Sequence, residues 1–195
     1  MSTVLITTSA RSATWTVLGL LAGLYAAQSV TGSMVQTALP TVLRNEGVSL
    51  QQIGYLAVLF LPWALKFFWS PLVDRFLDER RWILVCQAGI ILCFLAMIAL
   101  PPQTQMTGLA VVRFVMAVFA ATQDVATDAL AVKTSSAETR GIASGASTAG
   151  AYLGFLIGGG LWLVVYSHAG WAISMAAMAA FVGLLTIPVF MAGGI

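Results

Sequence analysis

Four ionisable side chains interrupt long apolar runs: Lys66 in one, and Arg113, Asp124 and Asp128 in another. A charge at the centre of a bilayer costs about 2.5 to 3.5 kcal/mol on insertion scales, so a chain keeps one inside a span where it faces a wet path or a partner of opposite sign. An ammonium and two carboxylates one helical turn apart are the parts of a proton-coupled switch, because a carboxylate that takes up a proton lets go of the ammonium. The plainer reading is that these charges tie helices together as buried pairs, with Asp128 at the water interface. At about 100° per residue, Arg113, Ala117, Ala120, Asp124, Thr127 and Asp128 share roughly a third of a helix circumference. An earlier run carries a second polar stripe, Tyr25, Gln28, Ser29, Gly32 and Gln36. Two such stripes predict a shared wet cavity, although polar side chains also serve as interhelix glue worth about 1 kcal/mol each.

The elements that must hold these residues are membrane helices. Of the 195 residues, 59% are apolar and 8% charged, and the mean hydropathy is +0.94. A soluble domain carries about 25% charge, so this composition excludes one. Apolar runs of about 20 residues predict an all-α polytopic protein with six transmembrane helices and no soluble domain. Their bounds are read as 15–39, 53–73, 82–100, 106–132, 141–166 and 171–191, with Pro40 and Arg44-Asn45-Glu46-Gly47 ending the first, the charged stretch 74–81 a solvated loop, and Ser167-His168-Ala169-Gly170 a tight joint. The partner implied throughout is the lipid bilayer.

Charge sets the orientation. With the N-terminus inside, Arg11, Arg75, Arg80, Arg81, Lys133 and Arg140 fall on the inner side and Arg44 alone on the outer, which predicts cytoplasmic termini in a cytoplasmic (inner) membrane. At about 1.5 Å per residue, Lys66 then lies roughly 10 Å and Asp124 roughly 12 Å from the inner ends of their helices, a shared depth that predicts a Lys66–Asp124 pair with Asp128 as second acceptor; Arg113 lies roughly 16 Å further out.

Other chemistries are excluded or weaker. Nine scattered Lys and Arg residues make no basic face for nucleic acid. Cys86 and Cys93, one heptad apart in an apolar run, read as packing residues, and neither a metal site nor a cofactor motif is present. Arg11 followed by the stretch Trp15 to Ala27 has the look of a signal peptide, but the apolar run continues past it and reads as a retained helix. The glycines Gly141, Gly145, Gly150, Gly154 and Gly158-Gly159-Gly160 predict close helix packing, with gating as the other reading. An intramembrane serine protease would need Ser144 or Ser147 beside His168, yet Ser147 and His168 fall roughly 30 Å apart along one helix. No enzyme is expected.

The segments Gly54-Tyr55-Leu56, Leu61-Pro62-Trp63-Ala64-Leu65-Lys66-Phe67-Phe68-Trp69-Ser70-Pro71-Leu72-Val73-Asp74-Arg75 and Ala121-Thr122-Gln123-Asp124-Val125-Ala126-Thr127-Asp128-Ala129 resemble a branch of the major facilitator superfamily, the siderophore importers of the rhizobactin and pyochelin type together with the related muropeptide permeases. The resemblance implies a secondary transporter that takes ferric siderophore inward with protons, or else a muropeptide or another bulky polar solute. Asp74, Arg75, Arg80 and Arg81 then resemble the superfamily's cytoplasmic latch loop, though with Ser70 in place of its glycine and with Asp78 and Glu79 added. Arg113 resembles the arginine of the fourth-helix signature, and the fifth-helix glycines resemble the antiporter signature without its proline. The substrate and coupling residues implied are Lys66, Arg113, Asp124, Asp128, Gln28, Gln36 and Tyr25. Such transporters have two six-helix halves with the site between them. The chain is therefore expected to be the N-terminal half, completed by a C-terminal half or a second copy, the competing expectation being a non-transporting fragment.

Overall fold

The computed structural model describes the backbone of residues 2–102 and 104–191 and the side chains of 15–191 apart from Asp74 and Gln103. The helices are α1 (Ser2–Ser33), α2 (Leu39–Asn45), α3 (Leu50–Tyr55), α4 (Leu61–Leu65), α5 (Ser70–Phe76), α6 (Glu79–Ile98), α7 (Met106–Thr134), α8 (Arg140–Leu156) and α9 (Trp162–Met191). Among the described residues, five stretches are long and apolar enough to cross a membrane: Trp15–Asn45, Leu50–Phe68, Glu79–Ile98, Met106–Thr134 and Arg140–Met191. The protein is an all-α polytopic membrane protein.

The last stretch has 52 residues, more than twice what a bilayer needs. It reverses at Gly170, whose φ of 77° and ψ of −177° suit a residue without a Cβ. Beyond the break the chain returns beside α6, with Trp171 Nε1 donating to the Met97 carbonyl at 2.6 Å and Arg80 reaching the carbonyls of Val189 and Phe190 at the other end. The stretch thus makes two passes. The expected four-residue joint is in fact a single residue, because Ser167 and His168 close their helical turn onto the Val164 carbonyl at 2.9 Å each.

Several other bounds differ from those expected. Pro40 does not end the first span. A π-helical turn at Met34–Ala38, closed by Leu39 N–H onto the Met34 carbonyl, precedes it, and the widened turn makes room for a ring that would otherwise strike the preceding turn, so the helix runs to Asn45. The second span starts earlier than expected, at Leu50, where Ser49 and Gln52 form a capping box. It is not one helix. Short 3₁₀ turns at Leu56–Phe60 and Lys66–Phe68 interrupt it, with Pro62 and Pro71 starting the pieces that follow, and α5 carries it to Phe76, into the stretch expected to be loop. The third helix likewise starts at Glu79 and absorbs Arg80 and Arg81.

Packing follows residue size. Lipid is as apolar as leucine, so close backbone contact holds membrane helices together more than apolar burial does. Parallel α1 and α8 show this plainly. A Cβ built on Gly150, Gly154 or Gly158 would lie 2.1, 2.2 or 2.3 Å from the carbonyl oxygen of Ala22, Ala26 or Val30, so only glycine permits the seam. A second π-helical turn, Ile157–Leu161, meets the first at the far end of this seam. On the other side, α7 packs antiparallel on α6, with Ile90, Phe94 and Met97 against Met116 and Ala120. The seam and this core place α1 next to α7, where the charges lie.

Candidate functional site

Three elements converge on one cluster. From α7 come Asp124 and Asp128, four residues apart on one face; from α1 come Tyr25 and Gln28; and from the 3₁₀ turn after α4 comes Lys66. The interruption of the second span positions the lysine. Trp69, at the end of that turn, donates Nε1–H to Thr122 Oγ1 of α7 at 3.2 Å, which fixes the broken helix against the one bearing the carboxylates.

Asp124 has both oxygens engaged. Oδ1 accepts from Gln28 Nε2, and Oδ2 is ion-paired with Lys66 Nζ. Asp128 accepts from Tyr25 Oη at 2.5 Å on Oδ1, while its Oδ2 lies 3.9 Å from the same ammonium. One cation is therefore shared by two carboxylates, leaving a net formal charge of −1 on the three groups. Their side chains differ in exposure, Asp124 at 15%, Lys66 at 32% and Asp128 at 52%, so the cluster grades from packed to wet along α7. Gln28 Oε1 is buried without a hydrogen-bond partner among the described residues and lines a small cavity of about 170 Å³ that also touches Ser29, Gln36 and Trp63.

Two expected members lie elsewhere. Gln36 is exposed on the far part of the first span, between that small cavity and one of about 480 Å³ bounded by Ile53 and Phe60. Arg113 is 1% exposed, its Nη2 against Met34 Sδ at 3.5 Å and its Nε and Nη1 without hydrogen-bond partners among the described residues. The polar face expected along α7 is therefore not one wet stripe: Arg113, Ala117, Ala120 and Thr127 are packed in the core, and only the two aspartates reach the cluster. Different helices pack against successive turns of α7, so a shared angle on the wheel does not give a shared environment.

The expected latch loop is also different. Arg80 donates Nε–H to the Val189 carbonyl at 3.0 Å and an Nη2 hydrogen to that of Phe190 at 2.6 Å, satisfying carbonyls near the end of α9. Arg81 pairs with Asp78 at 3.3 Å, and Arg75 is exposed in the last turn of α5. The Asp74 side chain lies outside the described residues. Glu79 pairs with Lys133 across α6 and α7, a contact between two polar segments that spacing alone does not reveal.

A further feature went unread in the sequence. Arg140, Ser144, Thr148 and Tyr152 recur every four residues along α8 and, with Tyr25 and Asp128, line an open cavity of about 580 Å³ at the charged end of the bundle. The four-residue spacing carried the signal, masked by the glycines and alanines between.

The chain matches the model of the Major Facilitator Superfamily over residues 20–193. It is 36% identical over 160 residues to the anhydromuropeptide permease of Escherichia coli K12, covering 78% of this chain and 31% of that protein. To a Rickettsia felis protein designated transporter AmpG 4 it is 29% identical over 164 residues, covering 79% of this chain and 40% of the relative. The chain spans about a third of the length of these curated relatives. With the match running through every element that builds the charged cluster, the chain belongs to the Major Facilitator Superfamily.

Proposed function

We propose that the chain provides one six-helix half, the N-terminal one, of a proton-coupled secondary transporter that carries a muropeptide-like solute inward across the cytoplasmic membrane. The carrying observation is the lysine ammonium shared by two carboxylates inside the membrane spans. Ionisable residues are costly inside a membrane, and those that a chain keeps there mark substrate, ion or proton pathways. Protonation from outside neutralises one carboxylate, the ammonium shifts to the other, and the bonds from Gln28 and Tyr25 transmit the change to the first span. The net count of Lys and Arg supports placing the charged end in the cytoplasm.

The muropeptide reading replaces ferric siderophore as the first choice of substrate, since the name of the Escherichia coli relative supports it. The test is uptake by vesicles holding the chain fused to a matching six-helix C-terminal half. Labelled anhydromuropeptide accumulates under an inward proton gradient, and Asp124→Asn abolishes accumulation while leaving exchange at equal concentrations measurable. Accumulation of ferric siderophore instead, or undiminished accumulation by the Asp124→Asn, Asp128→Asn double variant, overturns the reading.

A further inference from the structure

The cavity of about 580 Å³ shares only Tyr25 and Asp128 with the charged cluster. Its volume falls in the range of about 300 to 1,000 Å³ that holds small ligands. The α8 wall is a ladder of polar groups at four-residue intervals, Arg140, Ser144, Thr148 and Tyr152, with Ser147 beside it, and Asp128 faces the same space from α7. Among the described residues Arg140 has no ion pair, although it borders the same cavity as a carboxylate. A guanidinium and a carboxylate kept apart across one space leave room for a ligand to meet both.

We propose that this cavity is a release subsite for an acidic, hydroxyl-rich solute, with Arg140 receiving a ligand carboxylate and the α8 hydroxyls and Asp128 receiving sugar hydroxyls. The inference rests on the permease reading above. The chemistry selects the class. A guanidinium holds a carboxylate through two parallel hydrogen bonds, and serine and threonine hydroxyls can each donate to one sugar hydroxyl and accept from another.

The test uses the fused transporter in lipid nanodiscs with Cys86→Ala, Cys93→Ala and Ser147→Cys and no other cysteine. Saturating anhydromuropeptide slows maleimide labelling of Ser147→Cys by about tenfold or more. Arg140→Gln weakens the protection about tenfold or more, as expected for loss of a two-bond, charge-assisted contact. Amidating the ligand's carboxylates weakens it by a similar factor in the parent and by nothing further in Arg140→Gln; Arg140→Lys, which keeps the charge, falls between. Unchanged labelling in the presence of ligand, or effects of amidation and Arg140→Gln that multiply, overturns the subsite. Uptake by the Arg140→Gln fusion is measured in parallel. If uptake proceeds without protection at Ser147, only the subsite is lost; if uptake is absent from the unmodified fusion as well, the permease reading falls with it.

Discussion

Replacing Gly154 by alanine tests the seam that sets α1, and with it Tyr25 and Gln28, against the rest of the bundle. The added Cβ would stand 2.2 Å from the Ala26 carbonyl oxygen and 2.9 Å from its Cα, where ordinary contact begins at 3.4 Å. Both neighbours are backbone, so no rotamer relieves the clash, and the helices must separate locally by about 1 Å. Overpacking of this kind costs about 1 to 3 kcal/mol. Alanine's better helix propensity returns up to about 1 kcal/mol, leaving a net loss of about 0 to 2 kcal/mol. Gly145, on the same helix, has nothing within 4 Å of its would-be Cβ, so Gly145→Ala keeps the propensity gain and avoids the clash. Reversible unfolding of the two variants in mixed micelles should separate them by about 2 kcal/mol. The same displacement shifts Tyr25 and Gln28 relative to α7, so Gly154→Ala should also slow uptake by the fused transporter, and Gly145→Ala should not. Equal stability of the two variants would refute the argument that backbone contact sets this seam.

Lys66→Ala should cost about 1 to 3 kcal/mol, less than for a fully buried pair because the lysine is 32% exposed, and adding Asp124→Asn should recover most of it; additive losses in unfolding would show the pair uncoupled. Arg80→Ala frees the Val189 and Phe190 carbonyls, and faster amide exchange over the last turn of α9, with about 1 kcal/mol lost, is the expected result. Cysteines at Glu79 and Ser136 should react with an impermeant thiol reagent only from the cytoplasmic side and one at His168 only from outside; labelling at Glu79 from outside would invert the topology.

The existence of the helices was legible because bilayer thickness imposes a length of apolar sequence that little else requires. Their ends were less so. Pro40 reads as a breaker, and only the π turn ahead of it explains its place inside a helix. Pro62 and Pro71 mark where the second span changes form, yet they do not say that the pieces are joined by 3₁₀ turns. In the site, Lys66 and Asp124 could be matched by counting residues from helix ends, since depth in a membrane is nearly one-dimensional. Lateral position has no such ruler. Arg113 shares a wheel angle with Asp124 but is walled in by Met34, a residue from another span. The α8 ladder was missed because glycine and alanine outnumber its polar residues and direct attention to packing alone.

The two 3₁₀ turns in the second span also store length. They comprise five and three residues, and each residue rises about 2.0 Å in a 3₁₀ helix against about 1.5 Å in an α-helix. Rewinding both turns would shorten the span by about 4 Å without breaking its continuity. Asp124 and Asp128 are spaced by about 6 Å along α7. The span that bears Lys66 therefore carries, within its own backbone, an extension of the same order as the step between the two carboxylates, so a change of winding moves the ammonium along α7 as the ends of the span draw together.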